Sequence, residues 1–238
     1  MPFDNRLVRI LPLAVTLLGG CKSLGFHTGS KPVEASRKLA GFEAVTVAGG
    51  VAVDIALGDA FSVTVDAPPA LAQKVETRVE KAMLLVAVRP RLDPKSGPVR
   101  VRVVMPRLTR VQVQASSVTV AAGEIPQLDV VAREGGIVNV SGVKAERLLV
   151  EGRGASRIVV AGAAQTLECV LAGASRGDAR DLAVGSARVS LAEASRLDLR
   201  PRQMVSGEAT GASKLAVWSK PKRMGVATRD GSSVTFVR

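Results

Sequence analysis

Ala155-Ser156-Arg157-Ile158-Val159-Val160, Ala174-Ser175-Arg176-Gly177-Asp178-Ala179 and Ala194-Ser195-Arg196-Leu197-Asp198-Leu199 are one phrase written three times. Each opens on a small residue, passes through Ser and a basic residue, and continues in alternation. Ala115-Ser116-Ser117 begins the series, and Ala212-Ser213-Lys214 and Gly231-Ser232-Ser233 end it. Glu134-Gly135-Gly136 reads as a degenerate second copy with Gly135 in the Ser column. The column positions are then 116, 135, 156, 175, 195, 213 and 232, with steps of 19, 21, 19, 20, 18 and 19 residues. A fixed period of this length, built from short strands and small-residue turns, marks a β-solenoid. The expected fold is all-β: a parallel β-helix of the single-stranded type with about 20 residues per coil. Right-handed winding is the usual outcome for strand-to-parallel-strand connections.

Side chains alternate across a strand, so counting from the Ser column sorts the coils into inner and outer columns. Two and four residues after it come Val118 and Val120, Ile137 and Asn139, Ile158 and Val160, Gly177 and Ala179, Leu197 and Leu199, Leu215 and Val217, Val234 and Phe236. These are expected to face inward. Six residues before it stand Val150, Cys169, Val189 and Val226, which makes Cys169 a small buried hydrophobe rather than a reactive thiol. Ser116, Ser156, Ser175, Ser195, Ser213 and Ser232 should stack at about 4.8 Å into a structural ladder. Their hydroxyls would bond one another or the turn amides. Aromatic residues are 3% of the chain, so Val, Ala and Leu must do the packing.

Upstream of residue 109 the repeat is lost but the alternation persists. Phe42–Val47, Val51–Leu57, Phe61–Val65, Leu84–Val88 and Val99–Met105 read as strands, with turns at Gly49-Gly50 and Gly58-Asp59 and a loop marked by Pro90, Pro94 and Pro98. After Pro68-Pro69, the spacing of Leu71, Val75, Val79, Ala82 and Met83 predicts one short amphipathic helix laid over the open end of the first coil.

The N-terminus reads as an address. Arg6 and Arg9 precede an apolar run, Ile10 to Leu18, whose 9 residues fall short of the roughly 20 that span a bilayer. Leu18-Gly19-Gly20-Cys21 resembles the bacterial lipobox. That resemblance implies a signal peptide over 1–20 and acyl chains on Cys21; the alternative is an ordinary secretory signal with an incidental cysteine. More than one acyl chain anchors stably. Lys22, where Asp would favour inner-membrane retention, points to the outer membrane of a diderm envelope. Residues 21–38 read as lipidated Cys plus tether, and 39–238 as the β-helix.

Net charge is +12, which favours anionic partners such as acidic glycans or lipopolysaccharide, or reflects an Arg-rich background. The charge would also suit phosphorylated lipid head groups or nucleic acid, but no nucleic-acid partner is expected. Arg157, Arg176, Arg196 and Lys214 follow the Ser column by one residue; Asp178 and Asp198 follow by three, and Arg180 and Arg200 by five. This face is either a solvated, self-compensated surface or an anion-binding strip formed by Arg157, Arg176, Arg180, Arg196, Arg200 and Lys214. Trp218, Lys220, Lys222 and Arg223 would extend it.

Enzyme readings find little support. Asp178 and Asp198 are the one well-stacked acidic pair, and flanking Arg residues should keep both ionised, whereas a general acid needs a raised pKa. The single histidine, His27, lies in the tether, so a Ser-column nucleophile lacks a base, and the Cys/His inventory excludes such metal sites. No metal or cofactor is expected. Arg176-Gly177-Asp178 spells an integrin-type tripeptide, but places Gly177 inward within a strand. A purely structural role, with solenoid ends stacking into oligomers, stays open.

Phe42-Glu43-Ala44-Val45-Thr46-Val47 with Gly49-Gly50-Val51, the segment after Ala67-Pro68, Val103-Val104-Met105-Pro106-Arg107-Leu108 and the Ala-Ser repeats after Val111 together resemble the bacterial head GIN domain family, also called putative auto-transporter adhesin. The resemblance covers about residues 39–238. It implies a β-helix shaped like the pectin lyase-like proteins without their catalytic residues, and a location in the envelope. Two departures stand out: Glu134-Gly135-Gly136 in the second coil, and Ala-Ser where the family often has Gly-Ser.

Overall fold

The computed structural model describes residues 33–89 and 98–237. Cys21, His27, the signal and lipobox region, and Pro90 and Pro94 of the proline-marked loop lie outside these residues. The chain winds into a β-solenoid of about 6 turns with roughly 20 residues per turn.

The regular coils begin with β8 (Arg110–Gln114) and β9 (Ser117–Ala121). They continue through β10 (Glu124–Arg133), β11 (Ile137–Gly152), β12 (Arg157–Leu171), β13 (Arg176–Leu191) and β14 (Arg196–Ala209). β15 (Lys214–Val217), β16 (Arg223–Thr228) and β17 (Ser233–Phe236) finish the stack. Successive coils pair in parallel, so like positions stack. One inner column runs Val118, Val138, Ile158, Gly177, Leu197, Leu215 and Val234, and an opposing one runs Val111, Val130, Val150, Cys169, Val189 and Gly207. Apart from half-buried Gly207 and Val234, these residues are buried in one continuous core, and buried Cys169 has its thiol pKa pushed up to about 12.

The turns explain the repeated phrase. Gly154-Ala155, Gly173-Ala174, Glu193-Ala194 and Gly211-Ala212 all have positive φ, from 54° to 65°, at both positions. Two left-handed residues in a row reverse the chain as a type I′ turn does. Each turn also bonds the next: Ala155 N–H donates to Gly173 O at 2.6 Å, Ala174 to Glu193 at 2.8 Å, and Ala194 to Gly211 at 2.7 Å. The following Ser lies inside, with Ser156, Ser175, Ser195 and Ser213 at most 1% exposed. Their hydroxyls meet in pairs, Ser156 with Ser175 at 3.2 Å and Ser195 with Ser213 at 3.4 Å; Ser175 and Ser213 also donate to Ala172 O and Thr210 O of their own turns, and Ser195 to Leu171 O of the neighbouring coil. Ser116 accepts from the Gly50 amide, and half-buried Ser232 accepts from Ser213 N–H.

The second coil departs from its expected phase. Ile137 pairs with Ser117 and Val138 with Val118, so Gly136, not Gly135, stands in the Ser column. The left-handed pair Glu134-Gly135 agrees. Val138 and Val140 therefore face inward, while Ile137 is 40% exposed and Asn139 is also outside. A one-residue slip exchanges the two faces of a strand, and the glycine pair erased the side-chain marker that sets the phase elsewhere.

The N-terminal third is rearranged. β2 (Ala44–Ala48) and β3 (Ala52–Leu57) form a coil lying against β8 and β9 on one side. On the other side lie β6 (Met83–Val88) and β7 (Arg100–Met105), so the first coil in the chain is the second in the stack. The expected helix over 71–83 does not form. α1 is only Pro69–Ala72, and β5 (Val75–Glu80) makes a hairpin with β6. Val75 and Val79 fit strand alternation as well as helical spacing, and the free edge of β6 decides for the strand. β4 (Ser62–Ala67) covers β7 antiparallel, and β1 (Val33–Arg37) covers β4. The end is thus closed by antiparallel strands, and residues 33–37, read above as tether, belong to the sheet. At the far end β16 and β17 are edge strands, where Phe236 is 55% exposed.

Candidate functional site

The residue after each buried Ser must face solvent by alternation. The parallel register aligns Arg157 with Arg176, Arg176 with Arg196, and Arg196 with Lys214, all exposed. Like charges about 5 Å apart in water repel by roughly 0.8 kcal/mol, so four neighbouring cations need relief. Asp178 and Asp198, in register one row further on, supply part of it.

The two carboxylates are engaged differently. Arg180 folds back on Asp178 with two guanidinium hydrogen bonds, at 2.9 and 2.6 Å, and its backbone N–H adds a third at 3.2 Å. These bonds hold the Asp178 carboxyl below the ordinary aspartate value, with the charge of Arg157 contributing. Arg196 donates to Asp198 at 3.1 Å, which raises its own pKa. Trp218 joins the pairs: its indole Nε1 donates to Asp198 at 3.0 Å and its ring lies 5.3 Å from the Arg180 guanidinium. Trp218 was expected only as an extension of the basic face. Its bonding role depends on an Arg–Asp–Trp geometry that no column count reveals.

Arg180 and Arg196 are therefore committed to carboxylates within their own strands. Among the described residues, no ion pair involves Arg157, Arg176 or Lys214, which remain free along one row. Arg200 is exposed at the coil corner, off that row, beside Arg202 and Lys220. The small depression on the row is lined by Arg157, Arg176, Arg196, Asp178, Asp198 and Gly177. Gly177 is buried inside β13, and a Cβ there would lie 2.8 Å from Leu197 Cδ1, so the Arg-Gly-Asp triplet is held within a packed strand.

The arrangement suits charge recognition better than acid–base chemistry. A depressed Asp178 is a poor proton donor. No group of three or more His, Cys, Asp or Glu placed to hold a metal occurs among the described residues. A wider, open concavity on another face is lined by Ala163, Ala164, Ala183 and Gly185 together with Glu124, Lys144 and Glu146, of which Lys144 and Glu124 pair with each other at 3.5 Å.

Comparison with known proteins agrees with this architecture. A putative adhesin from Bacteroides fragilis superposes with a TM-score of 0.81 at 12% identity, covering 87% of this chain and 97% of the other. A putative lipid binding protein from Parabacteroides distasonis gives 0.68 at 14% identity, and a putative adhesin from Parabacteroides merdae 0.67 at 14%, each again covering 87% of this chain and 97% of the other. At such identities the likeness establishes the fold. No curated protein matches the chain. The profile of the family described as "Putative auto-transporter adhesin, head GIN domain" matches residues 41–221, and the chain belongs to that family.

Proposed function

We propose that this protein is a non-enzymatic binding module of the bacterial cell envelope, of adhesin type, which contacts anionic glycan or lipopolysaccharide through Arg157, Arg176 and Lys214. The observation that carries the reading is the unpaired cation row: three cations in parallel register, on a rigid sheet, beside Arg180 and Arg196 already neutralised by Asp. Arg157 and Arg176 stand one coil apart and Lys214 two coils beyond Arg176, so the free charge faces an extended polyanion along one line. The family name and the adhesin and lipid-binding names of the structural relatives support a surface role. The lipobox over Leu18–Cys21 supports lipid anchoring through Cys21, with Lys22 favouring the outer membrane.

The test is retention of the full chain, in detergent, on immobilised heparin and lipopolysaccharide at low and physiological salt. Arg157→Glu with Arg176→Glu should abolish ligand-selective retention, and Arg188→Glu, on another exposed row, should not. Equal binding to every polyanion, or retention untouched by the reversal, defeats the row and leaves the structural scaffold reading in front. Palmitate labelling lost in Cys21→Ser tests the anchor. The carbohydrate-active alternative predicts depolymerisation that Asp178→Asn and Asp198→Asn abolish, and the Asp178–Arg180 bonding argues against it.

A further inference from the structure

The coil corner beyond the row carries a second charged concavity, built by a mismatch between two coils. β13 takes five residue steps from Ala179 to Val184, whereas β14 takes two from Leu199 to Pro201, the residues paired with them. From Pro201 to Met204 β14 takes three steps against two from Val184 to Ser186, so it ends two residues shorter, and the Ser step falls from 20 residues (Ser175 to Ser195) to 18 (Ser195 to Ser213). The tighter coil cuts its corner and leaves the wider corner of β13 overhanging. A notch of about 490 Å³ opens there, lined chiefly by Arg180, Asp181, Arg200, Arg202, Ser219 and Lys220. That volume is in the range of sites that take a single small ligand, roughly 300–1,000 Å³.

The walls are fixed by bonding and burial. Pro201 is buried at the turn, and its carbonyl accepts the Ser219 hydroxyl at 2.5 Å. Trp218 N–H donates to Leu199 O at 2.9 Å, which holds the 218–220 segment against the corner. Arg180 is secured by Asp178 and the Trp218 ring. Arg180, Arg200, Arg202 and Lys220 thus line the notch with one carboxylate, Asp181, whose charge acts on Arg180. No ion pair involves Arg200, Arg202 or Lys220 among the described residues. Two guanidinium groups provide the forked donors that match a tetrahedral oxyanion, and an ammonium adds a mobile point charge.

We propose that this notch binds the oxyanion of a phosphate or sulfate monoester, carried by a sugar or by a lipid headgroup. The site shares no free cation with the Arg157–Arg176–Lys214 row, so either can fail alone. Trp218, the only tryptophan in the chain, stacks against a wall residue and serves as the reporter.

The experiment is a fluorescence titration of the full chain in detergent with glucose 6-phosphate, glucose 6-sulfate and glucose. A parallel titration uses phosphatidylcholine vesicles with and without phosphatidic acid. A saturable change with either charged sugar and none with glucose is expected. Losing the paired donors in Arg200→Ser with Arg202→Ser should weaken it by about tenfold or more. Lys220→Ser should weaken it independently, and Arg157→Ser with Arg176→Ser should titrate as wild type. Saturation by sugars with inert vesicles assigns the sugar source, and saturation only by phosphatidic acid assigns the headgroup. No saturable change with any monoester, or a double variant indistinguishable from wild type, overturns the proposal. All the substituted cations are exposed, so circular dichroism should show an unchanged fold.

Discussion

Trp218 and Asp198 face each other across one coil step, with the indole Nε1 donating to Asp198 Oδ1 at 3.0 Å. The contact ties the segment after β15 to the carboxylate row and sets the ring where Arg180 lies against it at 5.3 Å. Trp218→Phe keeps a ring for Arg180 and deletes the donor. It should cost about 1 kcal/mol in urea unfolding, the usual worth of one hydrogen bond. No change would place the bond outside the folded-state balance.

The left-handed alanines are a strained form of the turn. A non-glycine residue there costs roughly 1–2 kcal/mol, partly offset by the greater unfolded-state freedom of glycine. Ala194→Gly should therefore stabilise by about 0.5–1 kcal/mol, and the combined replacement of Ala155, Ala174, Ala194 and Ala212 should raise Tm clearly. A lower Tm for the fourfold variant contradicts the strain argument.

Gly207 is the opposite case. Its φ is +132°, and a Cβ would stand 1.8 Å from Val189 O, an approach that no side-chain movement relieves. Gly207→Ala should unfold the C-terminal coils or cost more than about 3 kcal/mol. Gly225→Ala, with nothing within 4 Å, should be nearly silent by thermal melting.

Ser175 is fully buried, donates to Ala172 O at 2.7 Å and meets Ser156 at 3.2 Å. Ser175→Ala leaves the buried Ser156 hydroxyl and the half-buried Ala172 carbonyl without this partner and should cost roughly 1–3 kcal/mol. Ser232→Ala, at a half-buried position, should cost less. Comparing the two in chemical denaturation separates a buried ladder from mere repetition.

Asp178 sets an acid limit. Its folded pKa lies below the unfolded value of about 3.9. Its contribution is therefore complete above the unfolded value and is lost as pH falls through the lower folded value. Asp178→Asn should flatten the decline in stability below about pH 4 by lowering stability at neutral pH, where the contribution of the carboxylate is complete, while leaving the acid end unchanged. An unaltered acid limb rules out this linkage.

The register of β12, β13 and β14 up to Ala179 was legible because Ala-Ser-Arg marks the phase three times in nearly identical form. It failed at Gly135-Gly136, where two residues without side chains remove the marker and alternation alone permits either phase. It failed again at Val75 and Val79, which satisfy a strand and a helix alike until the edge of β6 is known. The outward basic row followed from phase and spacing. Which of its members are free did not, because Arg180 and Arg196 choose their partners through side-chain conformation.

The sequence by itself determined the all-β solenoid, its period, the buried Ser column and the charge of one face, because those depend on local periodicity repeated coil after coil. Only the tertiary structure decided the stacking of β2 and β3 between β6–β7 and β8–β9, the antiparallel closure of one end, and the notch at Arg200 and Arg202. These depend on pairings between segments far apart in the chain and on a difference in corner length between neighbouring coils. The free energy of such pairings resides in the contact itself and leaves no periodic trace in either partner.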